Sequence, residues 1–332
     1  MRDKYKGAMP NWLVPLVDSI DSQIQNSDAF EAVFANLQFL EDGLADLPTE
    51  IVIGEFRTRQ LTELQAIDAS TPPEKWLTLI IEAQIGKLLY VHIYKFKSCA
   101  AAIRHSLEQG NFTACVVMAR SLLESACFLT YTFNRCEKKI AVLRRSIEPH
   151  VKRLRKNLPL EGKAKERIIR NLLDVATTLD RAELGSSFDW SALAAETGVT
   201  FRKNNYKKIN VMEAIEKAQD VSGKSLRAYY DLLSELSHPN MGSHRLVVKQ
   251  VMNPQLAIGD VKISDDGRHL DAASFFFDIC SPSLASVLGL TLRTMEASLT
   301  FYEFAREHNT DADWVRIYQA LKVGLVPDAK VH

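Results

Sequence analysis

Arg120 and Glu124 stand one helical turn apart in "ARSLLESACFL", and Tyr230, Ser234 and His238 follow at steps of four in "YYDLLSELSHPN". These types can do chemistry. An imidazole can serve as a general base, hydroxyls can hold an anion, and a guanidinium can stabilise developing negative charge. At about 100° per residue, Thr113, Arg120, Glu124, Cys127 and Tyr131 form one stripe. Val116 and Leu123 flank it on one side, Val117 and Phe128 on the other. An exposed Arg-Glu pair would contribute only tenths of a kcal/mol. Apolar flanks imply a pair at least half buried, and a buried charge demands polar compensation. The helix bearing Arg227, Tyr230, Asp231, Ser234 and His238 can supply it. The plainer alternative is that this second stripe is the wet side of an amphipathic helix.

Other chemistries fit less well. Glu235 and His238 have a spacing that can bind a metal from one helix face, but no second copy exists. His238 and His244 could converge around "HPNMGSH", yet two imidazoles lack a third ligand. No metal and no cofactor are expected. Neither phosphate-binding Gly-rich loop is present, and no Ser has a G-x-S-x-G context. The five cysteines, Cys99, Cys115, Cys127, Cys136 and Cys280, include no Cys-x-x-Cys pair. They read as reduced, buried thiols of a cytosolic protein.

Helices must position these residues. Gly 14 and Pro 11 are low counts for 332 residues, which favours long helices over a turn-rich β architecture. The chain reads as all-α, a multi-helix bundle with a small β-hairpin insertion near 246–263. Residues 1–70 form an N-terminal helical region, where Asp28 and Glu31 have capping-box spacing. Residues 71–308 form the bundle, and 309–332 a terminal helix and tail. Within the bundle, Pro72 and Pro73 open a helix that Gly110-Asn111 closes. A second helix spans 113–135. Two basic surface helices over 137–183 break near Pro159 and Gly162, and the Tyr230 helix is interrupted near Gly223. The last long helix contains Pro282.

Lys plus Arg equals Asp plus Glu at 41 each, which excludes a surface uniformly basic for coating nucleic acid. A local patch remains: residues 138–156 are dense in Lys and Arg, on a helix whose apolar face is Ile140, Leu143, Ile147, Val151 and Leu154. It reads as a solvated helix covering the bundle, or as a phosphate-contacting helix for RNA. The longest uncharged run late in the chain, 279–292, is shorter than a span of about 20 residues. The protein is expected to be cytoplasmic, with no membrane partner.

"ARSLLESACFL" followed by "YYDLLSELSHPN" resembles a group of bacterial helical proteins related to the HEPN (higher eukaryotes and prokaryotes nucleotide-binding) superfamily. The likeness covers about residues 75–305. It implies a helical bundle, commonly homodimeric, in which Arg120, Glu124, Tyr230, Ser234 and His238 line a polar groove. HEPN ribonucleases typically carry an Arg, then four to six residues, then a His. Neither His238 nor His244 has one; only Arg144 or Arg145 before His150, in "RRSIEPH", matches, at a frequency chance alone would supply. The resemblance implies a protein binding or cleaving RNA, or binding a nucleotide, in stress or phage defence. The alternative is a non-enzymatic scaffold or homodimerisation protein whose polar cluster is structural.

Overall fold

The computed structural model describes residues 8–21, 27–50, 73–150, 152–153, 158, 160, 162–182, 210–219, 223, 225–238, 246, 248–252, 259–263 and 267–307. These are mostly helical: α1 (Val17–Asp21, after a 3-10 turn at Val14–Leu16), α2 (Ser27–Ala45), α3 (Pro73–Gln109), α4 (Phe112–Ile147), α5 (Gly162–Ala182), α6 (Val211–Lys217), α7 (Arg227–Ser237) and α8 (Leu270–Glu307). The fold class is all-α. Two short strands, β1 (Val248–Met252) and β2 (Gly259–Ile263), pair antiparallel with Val248 opposite Ile263. Their connection, the N-terminal helical region over 51–70, the terminal helix and tail over 309–332, and residues 183–209 lie outside the described residues.

The chain divides into two compact units. The first is drawn from Met1–Pro48, Ile93–Cys127 and Ala214–Thr294, the second from Thr49–His92, Phe128–Glu213 and Met295–His332. The first unit is built on aromatics. Phe30 and Phe34 of α2, Phe112 of α4, and Phe276 and Phe277 of α8 are all essentially buried. Phe112 stacks on Phe276 at 4.4 Å between centroids, and Phe277 meets Phe30 edge-on at 4.8 Å. Trp12 leans on Phe112 and donates its indole N–H to the Leu107 carbonyl at 3.0 Å. Polar ties fasten the N-terminal segment to α3. Arg104 grips Glu41 through Nε and Nη2, the closer contact at 2.6 Å, and also donates to the Ala8 carbonyl. Lys97 and Tyr94 donate to the carbonyls of Leu47 and Pro48, just past the C-terminus of α2, where cations and donors satisfy orphan acceptors. Helix α2 opens at Ser27, so Asp28 lies inside the first turn rather than at the cap, where its charge suits the positive end of the helix.

Two local expectations meet their geometry directly. Gly110 has φ 67°, and its N–H and that of Asn111 reach back to the carbonyls of Leu107 and Ser106. That is a Schellman closure, and Asn111 then caps α4 by accepting from Ala114 N–H. Gly223, also left-handed at φ 78°, lies in the break between α6 and α7.

One helix boundary needs correction. The expected end at 135 is not an end, because α4 continues to Ile147. The switch from apolar to basic composition at 137 is a change of surface. No Gly or Pro intervenes, and Leu143 and Ile147 stay buried at helical spacing.

In the second unit, α5 buries Ile168, Ile169, Leu172, Leu173 and Ala176. It lies antiparallel to the end of α4, since Lys139 donates to Thr178 Oγ1 at 2.8 Å while Asn171 donates to Ser146 Oγ at 3.1 Å. Burial lowers the Lys139 pKa, and Asp174 offsets part of that.

Candidate functional site

Helix α7 is amphipathic, with Leu226 just before it and Leu233 and Leu236 within it buried. That face carries Tyr230 to α4. Arg120 Nε donates to Glu124 Oε1 at 3.1 Å, Nη2 donates to the Tyr230 hydroxyl at 2.9 Å, and Nη1 donates to Ser237 Oγ at 3.2 Å. The guanidinium also lies over the Tyr230 ring, 5.1 Å from its centroid, a cation–π contact. The Arg120 and Glu124 side chains are 27% and 30% exposed, so the pair sits between surface and core. Charge-assisted bonds at that depth exceed those of a freely solvated pair.

Arg120, Glu124 and Tyr230 therefore meet, but Ser234 and His238 do not join them. The hydroxyl that reaches Arg120 belongs to Ser237; Ser234 contributes its backbone carbonyl, which accepts from Ser237 Oγ at 2.8 Å. Helix geometry accounts for this. Ser237 lies about 20° from Tyr230, on the same side as buried Leu233, whereas Ser234 lies about 40° to the solvent side. A projection centred on the leucines would have found Ser237. His238 leaves the stripe altogether. It is the C-cap, extended at φ −92° and ψ 153°, and its side chain is exposed. Pro239 follows it, and a residue before proline is pushed out of the helical region.

Arg227 and Asp231 form their own exposed pair on α7, with Nε 2.8 Å from Asp231 Oδ1 and Nη1 3.2 Å from Glu216 of α6. Tyr131, predicted on the Arg120 stripe, donates instead to Glu213 at 2.7 Å within the second unit. Of the nuclease-type spacing, Arg145 is exposed and donates to the Ala141 carbonyl on its own helix at 3.4 Å, His150 ends a 3-10 turn at Glu148–His150, and the Arg144 side chain lies outside what is described. His244 lies outside the described residues. Among the described residues, no three His, Cys, Asp or Glu side chains converge on a metal position.

The thiols offer no nucleophile. All five are buried, and burial pushes Cys127, Cys136 and Cys280 up to about 12 and raises Cys99 and Cys115 as well. The thiolate is the reactive form, so native protein at about pH 8 should leave Ellman's reagent nearly unconsumed. After unfolding in guanidinium all five thiols should react. Rapid native reaction at any thiol but Cys99, which sits nearest the surface, would contradict this burial.

The arrangement can hold α7 rigidly against α4 through one guanidinium; it does not present a base, an acid and a free cation to a common point. No family model, curated protein or solved structure matches the chain.

Proposed function

We propose that the protein is a non-enzymatic helical scaffold of HEPN-like type, cytoplasmic and homodimeric, carrying the hairpin of residues 246–263 as an insertion. In this reading the Arg120 cluster fastens α7 to α4 and performs no chemistry. The supporting observation is the engagement of the guanidinium: all three of its nitrogens donate to protein oxygens, one of them a carboxylate. A ribonuclease needs an arginine free to meet charge as it develops on phosphate and a histidine within reach of the same atoms. Arg120 is committed elsewhere, and His238 is exposed at a helix end. Two helical stretches, Phe112–His150 and Leu270–Glu296, are long and apolar enough to cross a membrane, but 61% and 56% of their most apolar windows are buried. That burial favours core helices.

A double-mutant cycle tests the role of the cluster. Arg120→Met and Tyr230→Phe should each lower stability, with a coupling of about 1 kcal/mol between them, and His238→Ala should leave stability within about 0.5 kcal/mol of the parent. Additive effects of the first two would remove the fastening role. RNA cleavage by the parent that His238→Ala abolishes, with melting unchanged, would replace the scaffold by an enzyme. A monomer in light scattering would remove the dimer.

A further inference from the structure

Charge is segregated along this chain. Residues 135–170 hold 13 Lys and Arg against 4 Asp and Glu, although the whole chain has 41 of each. This stretch lies within the second unit, apart from the Arg120 cluster. Several of its cations are exposed. Lys138 and Arg145, seven apart, are exposed on α4; Lys163, Arg167 and Arg170, at steps of four and three, are exposed on α5; Lys152 is exposed between the helices. The antiparallel contact of Ser146 with Asn171 places Arg145 and Arg170 beside each other's helix, so the two basic rows run along neighbouring helices. Adjacent packed helices lie about 8–10 Å apart.

From this placement we propose that the outward face of α4 and α5 bearing Lys138, Arg145, Lys163, Arg167 and Arg170 is a docking surface for the phosphate backbone of a nucleic-acid duplex. Two observations select that occupant. The stretch contains no Phe, Tyr or Trp, so it lacks the stacking platforms by which single strands are held, and phosphate contact alone suits a duplex whose bases are paired. The apolar faces of both helices are spent inside the unit: Leu143, Ile147, Ile168, Ile169, Leu172 and Leu173 are buried. Val142 and Leu158 are exposed, but two scattered aliphatics do not make the continuous apolar face that an interfacial helix buries in a bilayer. Such binding is independent of sequence and driven by counterion release.

The test uses the full chain and a labelled RNA duplex of about 16 base pairs, a length that spans two successive minor grooves. Fluorescence anisotropy should show binding at about 50 mM salt that weakens on the order of 100-fold by about 200 mM, as expected for four neutralised phosphates. The triple variant Arg145→Glu, Arg167→Glu, Arg170→Glu changes only exposed side chains. It should melt as the parent does and lose at least about tenfold in affinity at the lower salt, with a shallower salt slope. The proposal is overturned if the parent does not bind, if the folded triple variant binds as tightly, or if a single strand or phosphatidylserine vesicles bind more tightly than the duplex. A Tyr230→Phe variant that binds the duplex as the parent does separates this surface from the Arg120 cluster.

Discussion

Replacing Phe277 by alanine should destabilise the first unit by about 3–5 kcal/mol, the range for truncating a large aromatic in a packed core. Phe277 is 1% exposed and meets four rings: Phe30 at 4.8 Å, Phe276 at 4.9 Å, Phe34 at 5.8 Å and Phe112 at 6.0 Å. These come from α2, α4 and α8 itself, far apart in the sequence, so no single helix can shift to fill the hole without breaking another contact. The aromatic pair geometry adds about 0.5–1.5 kcal/mol beyond area burial for each favourable pair. The measurement is denaturant unfolding followed by circular dichroism, with Phe39→Ala as control. Phe39 lies on the same α2 helix but is 53% exposed, and should cost less than about 1 kcal/mol. Equal losses at the two positions would mean that the aromatic cluster is not what holds α2 in place.

That cluster marks the limit of what the sequence discloses. Phe30, Phe34 and the Phe275-Phe276-Phe277 run are visibly apolar at helical spacing, yet nothing local says that the two sets meet. Pairing across such a separation is decided by shape complementarity, which periodicity does not carry. Local chemistry was far more readable. Gly110-Asn111 announces a left-handed closure because only such a pair both ends one helix and caps the next.

The Arg120 site was legible in part, for the same reason. Two charges one turn apart with apolar flanks require a polar partner, and Tyr230 is that partner. The hydroxyl that meets Arg120 lies about one helical turn beyond Ser234, at Ser237. Spacing in fours selects Ser234 and His238, while the axis of contact is set by Leu226, Leu233 and Leu236. Steps of four drift about 40° per turn around a helix, so a row of three such residues cannot stay on one face. The break at Pro239 then removes His238 from the helix entirely.

Gly110→Ala should cost about 2–5 kcal/mol, and the magnitude separates two causes. A left-handed backbone at φ 67° burdens any side chain with about 1–2 kcal/mol. The rest is steric. A Cβ on residue 110 would lie 2.8 Å from the backbone N of Arg268 and 2.6 Å from its Cγ. The side-chain carbon can swing aside, but the backbone cannot, because Gly267 N–H donates to the Gly110 carbonyl at 3.1 Å and holds the two segments together. Gly267 completes the fit, since a Cβ there would meet the Gly110 carbonyl at 2.5 Å and the Phe112 ring at 2.8 Å. The turn that joins α3 to α4 is thus pressed against the residues that open α8, and helix closure and tertiary packing share one glycine. Gly223→Ala isolates the conformational share: its φ is 78°, but nothing lies within 4 Å of the added carbon. Chemical denaturation of the two variants should place Gly110→Ala lower than Gly223→Ala by about 1–3 kcal/mol, the usual cost of overpacking. If both fall equally, the close approach of Gly110 to Arg268 contributes nothing, and left-handed strain is the whole effect.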